Sequence, residues 1–216
     1  MYESLARLQP VILAGSNSSR MGYNKVFAKF GGDTLIETIY TMLRFSFERE
    51  PIVVTDNAQL LKNFEPLKDA TIVEDKYPGH NTLGAVATAM ESSDAENFFV
   101  IGVDMPFLSL VVLERMVAAQ GIASVVVPML NGEDICLHAI YNRSLLPVMK
   151  EKIANGEKLL HSFYKEVSLL QIPLQPDSFE ADIFIDINTP EDLAYAQEHF
   201  KEVHEKDTEK ILVHKQ

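Results

Sequence analysis

Short apolar runs alternate with amphipathic stretches through the first 130 residues, and that alternation sets the expected fold. "VILAG" (11–15), "PIVVT" (51–55), "TIVED" (71–75), "NFFVIGVD" (97–104) and "ASVVVPM" (123–129) read as strands. Their apolar residues run together rather than alternating with polar ones, the pattern of strands covered on both faces. Between them, "TLIETIYTMLRFSF" (34–47), "NAQLLKNF" (57–64), "LGAVATAMESS" (83–93) and "SLVVLERMVAAQG" (109–121) predict helices. Thr34 and Glu37 have the spacing of a capping box, and Gly121 ends the last helix. Strand–helix alternation of this kind predicts a three-layer α/β fold, a mainly parallel twisted sheet with helices on both faces.

The later part is less regular. "ICLHAIYN" (135–142), "VSLLQIPL" (167–174) and "DIFIDI" (182–187) read as strands. "RSLLPVMKEKIANG" (143–156) reads as a helix interrupted by Pro147, and "EKLLHSFYKE" (157–166) as helical. In "NTPEDLAYAQEHF" (188–200), Thr189 is placed as an N-cap, with Pro190 at the first helical position and acids in the first turn. Residues 1–200 are expected to form a single domain, and 201–216 a charged tail or helix extension.

Composition narrows the function. The chain has 216 residues and 47% hydrophobic content, enough for a sizeable core. Its 31 acids against 19 bases give a net charge of −12, which opposes nucleic acid and anionic lipid as partners. An anionic ligand would therefore need local donors or a metal to hold it. A single cysteine, Cys136, allows no intramolecular disulfide and no cysteine-based zinc site. "MYESLARLQP" lacks the basic and apolar regions of a signal peptide, and no apolar run is long enough to span a bilayer. These features predict a cytoplasmic protein.

The candidate chemistry starts in "PVILAGSNSSRMGYNK" (10–25), where a strand enters a small-residue loop that ends on a cation. The P-loop and the G-x-G-x-x-G fingerprint are both absent. In a parallel sheet, a loop after the first strand lies at the crevice along the carboxyl ends. Gly15 permits close backbone approach, Ser16, Ser18 and Ser19 leave amides accessible, and Arg20 and Lys25 add two cations. An ordinary surface connection has the same composition, so the loop alone leaves both readings open. Asp104 closes an apolar strand before Met105-Pro106, where a hard oxygen ligand suits Mg²⁺ and where a simple turn-capping acid is also at home.

"LAGSNSSRMGYNK" (13–25) resembles the L-A-G-G-x-S-x-R-M-G-x-x-K signature of the molybdenum cofactor guanylyltransferases, the MobA-like nucleotidyltransferases, with Ser16 in place of the second glycine. The resemblance continues, in matching order, at "IVEDKYPG" (72–79), "GVDMPFL" (102–108), "LHAIYNRSLLPVMKEKIANGEKLL" (137–160) and "FIDINTPEDL" (184–193). It implies that Leu13, Ala14 and Gly15 approach a nucleotide through their backbone, that Lys25, with Arg20, contacts its phosphates, and that Asp75 lines its site. It also implies that Asp104 binds Mg²⁺ and that Lys25 and Asp104 are the catalytic pair. A further family position, usually asparagine, is Thr55 here and is not carried over. "YPGHNTLGAV" (77–86) departs from the family's Y-P-G-x-G-P-L-A-G: Asn81 and Thr82 replace Gly and Pro, and Gly84-Ala85 invert Ala-Gly.

Asp186 and Asn188, at the end of the last expected strand, are equally readable as metal or substrate contacts and as strand-end and cap polarity. His138, in an apolar alternation, reads as a core or site-facing histidine before a ligand. His80 falls in the departing loop, and His199, His204 and His214 read as solvated.

The function implied by the resemblance is Mg²⁺-dependent transfer of GMP from GTP to the molybdopterin form of molybdenum cofactor, with molybdoenzymes or cofactor-delivery proteins as candidate further partners. Two other readings stand beside it: a cytidylyl- or other nucleotidyltransferase for a different small phosphorylated acceptor, and a non-catalytic nucleotide-binding carrier. The presence together of Lys25, Asp75 and Asp104 argues against the carrier.

Overall fold

In the computed structural model of the chain, the described residues are 5, 7–15, 24–175, 183–200 and 202. The loop residues Ser16, Ser18, Ser19 and Arg20, the tail histidines His204 and His214, and nearly all of 201–216 lie outside them.

The strands expected in the first half form where the apolar runs fall: β1 (Leu8–Leu13), then, after the two-residue β2 (Lys29–Phe30) and β3 (Asp33–Thr34), β4 (Ile52–Thr55), β5 (Thr71–Glu74) and β6 (Asn97–Gly102). β1 pairs in parallel with β4 on one side and β6 on the other, and β4 pairs in parallel with β5. β7 (Val125–Leu130) and β10 (Leu169–Pro173) are also parallel partners. The order across the sheet is β10-β7-β9-β6-β1-β4-β5, with β9 (Ala139–Asn142) antiparallel to both of its neighbours.

Successive residues of each strand supply opposite faces. Leu8, Ile12, Val53, Phe99 and Ile101 pack with α1 (Leu35–Ser46) and α4 (Leu110–Ala118), whose Ile36, Ile39, Leu43, Val112 and Met116 are buried. Val11, Leu13, Val54, Phe98 and Val100 face the other way, against α3 (Asn81–Glu91) and α5 (Leu146–Ala154) through Leu83, Val86, Met90, Met149 and Ile153. Two apolar layers, one on each face, explain why these strands carry no polar alternation. The capping box forms as its spacing predicts, with the Thr34 side chain accepting from Glu37 N–H and the Glu37 carboxylate accepting from Thr34 N–H. The short α2 (Ala58–Lys62) is capped by Asn57.

Four expectations for the later part are corrected. The strand over 135–142 shortens to β9. Asn131 and Gly132, both at positive φ (54° and 82°), make a tight turn that pairs β7 with β8 (Glu133–Asp134), and the chain must then cross to reach β6. His138, at φ 109°, marks the end of that crossing. Pro147 does not interrupt a helix; it sits in the first turn of α5, where no amide hydrogen is needed, after a 3₁₀ turn at Arg143–Leu145. Residues 160–166 are 3₁₀ rather than α-helical. "DIFIDI" forms no strand among its described residues: Ile183 and Ile187 bury their side chains, and Ile187 N–H donates to Asp104 O (2.9 Å) instead of to a ladder. Buried isoleucines two to four residues apart imitate strand periodicity without a neighbouring strand to pair with. The final helix, α6 (190–200), begins as expected, Asp192 N–H donating to Thr189 Oγ1 (3.1 Å).

Candidate active site

β5, β4, β1 and β6 lie side by side, and the residues just past their carboxyl ends wall a cavity of about 420 Å³. Leu13 and Gly15 come from β1, Thr55 and Asp56 from β4, Glu74 and Asp75 from β5, and Gly102 and Asp104 from β6. Asn81, Thr82 and Ala85 of α3 close one wall, so three of the four positions where residues 77–86 depart from the family pattern face the cavity directly. Backbone hydrogen bonds extend the sheet past its formal ends. Val103 N–H donates to Leu13 O (3.0 Å), Ala14 N–H to Val54 O (2.8 Å) and Asp75 N–H to Thr55 O (2.9 Å). The loops therefore leave the sheet in fixed positions.

At one end, Lys25 sits in a 3₁₀ turn (Lys25–Phe27) capped by the Asn24 side chain, which accepts from Val26 N–H. The lysine is only 3% exposed, and its Nζ donates to the half-buried Asp104 Oδ2 in an ion pair. A lysine this deeply placed needs an anion, because an unpaired ammonium out of water is costly. Gly102 makes the carboxylate's position possible, since a Cβ there would stand 2.4 Å from Asp104 Oδ1. Asp186 is near enough to feel both charges. Loss of hydration first and the Asp104 carboxylate second push the Asp186 carboxyl above its ordinary value, while its hydrogen bond with Asn188 and the Lys25 ammonium pull the other way. Asn188 and Asp186 are thus beside the pair, and Asn188 N–H also donates to Asp192 Oδ2 (2.9 Å), a cap contact. The cap reading of Asn188 is thus present in the structure.

His138 lies beneath this end and does not line the cavity. It is buried, its Nε2–H donates to Phe107 O (2.7 Å), and its ring meets Phe99 and Phe184 edge-on. Burial lowers its pKa to about 4, so it stays neutral and braces the loop that follows Asp104.

At the other end the groups are acids. Asp75 Oδ1 accepts from Tyr77 N–H and from Thr88 Oγ1–H, both at 2.9 Å. Burial, then the charge of Asp75, raises the Asp56 carboxyl. Gly15 is shaped around Asp56, a Cβ there lying 3.0 Å from Asp56 Oδ1. The loop between β5 and α3 is tied on its outer side: Tyr77 Oη–H donates to Glu91 (2.9 Å), and His80 Nδ1 meets Glu157 O (2.8 Å). Lys76 and Lys150 also pair with Glu91 and hold its carboxyl down at about 2.

Of the residues singled out from the sequence, Leu13, Gly15, Asp75 and Asp104 line the cavity, and Lys25 reaches it through Asp104. Ala14 does not line it. Its N–H is taken by Val54 and its carbonyl accepts from Thr55 Oγ1–H (3.3 Å), so its backbone serves the sheet. Arg20 lies outside the described residues. Asp56, Gly102 and Thr88 were not anticipated. Asp56 directly follows a predicted strand, a signal that was available; the other two matter only through packing that spacing does not reveal. Among the described residues, no group of three or more His, Cys, Asp or Glu side chains is placed to hold a metal ion.

The carboxyl edge of the parallel sheet thus carries a cavity with a cation–carboxylate pair at one end, the place where an open α/β sheet holds its ligand. Residues 10–170 match the family of MobA-like NTP transferase domains, and the chain belongs to that family. It is 27% identical over 197 residues to a probable molybdenum cofactor guanylyltransferase of Natranaerobius thermophilus, covering 88% of this chain and 94% of that one. With a protein of the same name from Clostridium perfringens it shares 32% identity over 156 residues, 71% of this chain and 76% of the other. The fold matches the crystal structure of molybdopterin-guanine dinucleotide biosynthesis protein A from Archaeoglobus fulgidus with a TM-score of 0.75 at 21% identity, over 90% of this chain and all of that one. A cytidylyltransferase from Leptospira borgpetersenii superposes with a TM-score of 0.68 at 18% identity, over 88% and 85% of the two chains. The chain is a nucleotidyltransferase.

Proposed function

We propose that this protein transfers GMP from GTP to the terminal phosphate of molybdopterin cofactor and releases pyrophosphate. The observation that carries the reading is the pair of buried Lys25 with half-buried Asp104, opening onto the same cavity as Asp75. An oxygen of the acceptor phosphate attacks the α-phosphorus, a new P–O–P bond forms, and the bond to the β-phosphate bridging oxygen breaks as pyrophosphate takes up the electron pair. The attacking oxygen is already anionic, so the reaction needs no strong general base. Its barrier is repulsion between two polyanions, and catalysis is positioning together with charge neutralisation.

Lys25 places an ammonium at the phosphate end, and the resemblance of its motif alone assigns Arg20 to the same phosphates. Asp104, with Asp186 beside it, supplies hard oxygen donors of the type a divalent cation prefers, and the influence of Asp104 on Asp186 marks a place where added positive charge is welcome. Mg²⁺ held there would neutralise charge on the triphosphate. Leu13 and Gly15 form the floor under the nucleotide, and Asp75 stands at the base end. An acidic protein can hold a polyanion in this way because the cations are local. Small phosphorylated molecules are the expected partners, and hand-over to molybdoenzymes follows from the product's chemistry. Among the described residues no helix is long and apolar enough to cross a membrane, and a cytoplasmic location fits this reading.

The fold is shared with cytidylyl-transferring proteins, so the nucleotide is decided by measurement. Thermal stability with GTP, CTP and ATP, with and without Mg²⁺, tests the reading. A ligand at 100 times its Kd stabilises the native state by about 2.7 kcal/mol. Stabilisation by Mg²⁺-GTP alone, lost in Lys25→Ala, is the expected result. Preference for CTP moves the activity to the cytidylyl alternative, and GTP binding without pyrophosphate release to the carrier.

A further inference from the structure

Thr88 is the one polar side chain among the buried residues of α3, and it is completely enclosed. It lies outside the cavity lining, yet one of its hydrogen bonds goes to a residue of the cavity wall and the other to the next residue in the chain. Its hydroxyl donates to Asp75 Oδ1 (2.9 Å) and accepts from Lys76 N–H (3.0 Å). Tyr77 N–H donates to the same carboxylate oxygen, so Oδ1 is engaged twice within the protein. Among the described residues Asp75 Oδ2 has no hydrogen-bond partner, and Asp75 faces the cavity.

The place of Asp75 in the sheet indicates which part of a nucleotide it meets. β6, which carries Asp104, and β5, which carries Asp75, are separated by β1 and β4. Three strand spacings put the two carboxylates roughly 14 Å apart along the sheet edge. With the phosphates at Lys25 and Asp104, the base falls at Asp75. A carboxylate oxygen only accepts hydrogen bonds. Guanine offers adjacent N1–H and 2-amino donors on one edge, whereas cytosine and adenine have a ring nitrogen lone pair at the corresponding position.

We propose that Thr88 is a positioning residue for base selection: by holding Asp75 Oδ1, it turns Oδ2 toward the donor edge of a guanine base. The inference rests on the nucleotidyl-transfer reading and deepens it.

The test measures binding of GTP, ITP (which lacks the 2-amino group) and CTP to the full chain, together with kcat and KM for GTP. Thr88→Val keeps the shape and removes the hydroxyl. It is expected to weaken GTP binding about tenfold, the scale of one lost directed hydrogen bond. KM should rise, kcat should stay within about twofold, and the GTP-over-ITP preference should narrow. Thr88→Ser should restore all three. Asp75→Asn supplies a second line if Thr88→Val folds poorly. It keeps an oxygen for Thr88 but turns the cavity-facing atom into a donor, so GTP should lose ground against CTP. Retained GTP preference in folded Thr88→Val, or in Asp75→Asn, overturns the inference alone. Wild-type protein that binds none of the three nucleotides overturns the transfer reading, and this inference with it.

Discussion

The two ends of the cavity are built on opposite electrostatic terms. At the β6 end a buried lysine is paired with a half-buried aspartate, with Asp186 alongside. At the β5 end two carboxylates, Asp56 and Asp75, stand near one another with no cation between them among the described residues. On the proposed reading the first end does the chemistry, and charge held away from bulk water there makes each interaction worth more. On the same reading the second end meets the base, and there a carboxylate needs only a fixed direction. One sheet edge supports both because neighbouring strands deliver their loops at regular spacing.

The largest expected effects fall at the cation end. Lys25→Ala and Asp104→Ala should each lower turnover by about 100-fold or more, the usual cost of a lost charge contact in phosphoryl chemistry. Steady-state pyrophosphate release measures it, and near wild-type rates in either variant would remove the assignment. A smaller effect concerns the brace under that end. Because folded His138 titrates at about 4 and an unfolded histidine near 6.5, only the unfolded chain takes up this proton between those values. Stability is fully present above pH 6.5 and is lost as the pH falls toward 4, with about 2 kcal/mol gone by pH 5. Denaturant titrations at pH 7 and pH 5 should show that slope in wild type and a flatter one in His138→Asn; equal slopes would assign the acid sensitivity elsewhere. The smallest effect is at the acid end. Asp56→Asn removes a like charge beside Asp75 and should tighten nucleotide binding by roughly two- to threefold, as relief of a partly solvated repulsion. Calorimetric titration with GTP reads it, and weaker binding would mean that Asp56 itself contacts the ligand.

The ends also differ in how much of them could be read without a structure. Asp104 closes an unbroken apolar strand, and the capping box of α1 forms as its spacing requires. Lys25 and Asp75 stand out through the resemblance of their motifs, since a lysine in a polar loop and an acid in a turn are ordinary by themselves. Thr88 was not, because a threonine in a helix otherwise facing the core looks like a small apolar neighbour until its partner across the loop is known. Gly102 carries its meaning in the space that Asp104 occupies. In the later half, the Asn131-Gly132 turn is a strong local signal that the strand reading of 135–142 passed over. The stretch 183–187 had no such signal: its isoleucines are buried, but its hydrogen bond goes to a loop distant in sequence.

The segment between β5 and α3 is secured at Asp75 by Thr88, at Tyr77 by Glu91 and at His80 by the Glu157 carbonyl, and Gly84 lets the Tyr77 carbonyl pass where a Cβ would lie 2.8 Å away. Its conformational freedom is surrendered during folding, before any ligand arrives. Association on that side of the cavity is therefore expected to proceed with little further loss of chain entropy, and its temperature dependence to report desolvation of the base rather than ordering of the protein.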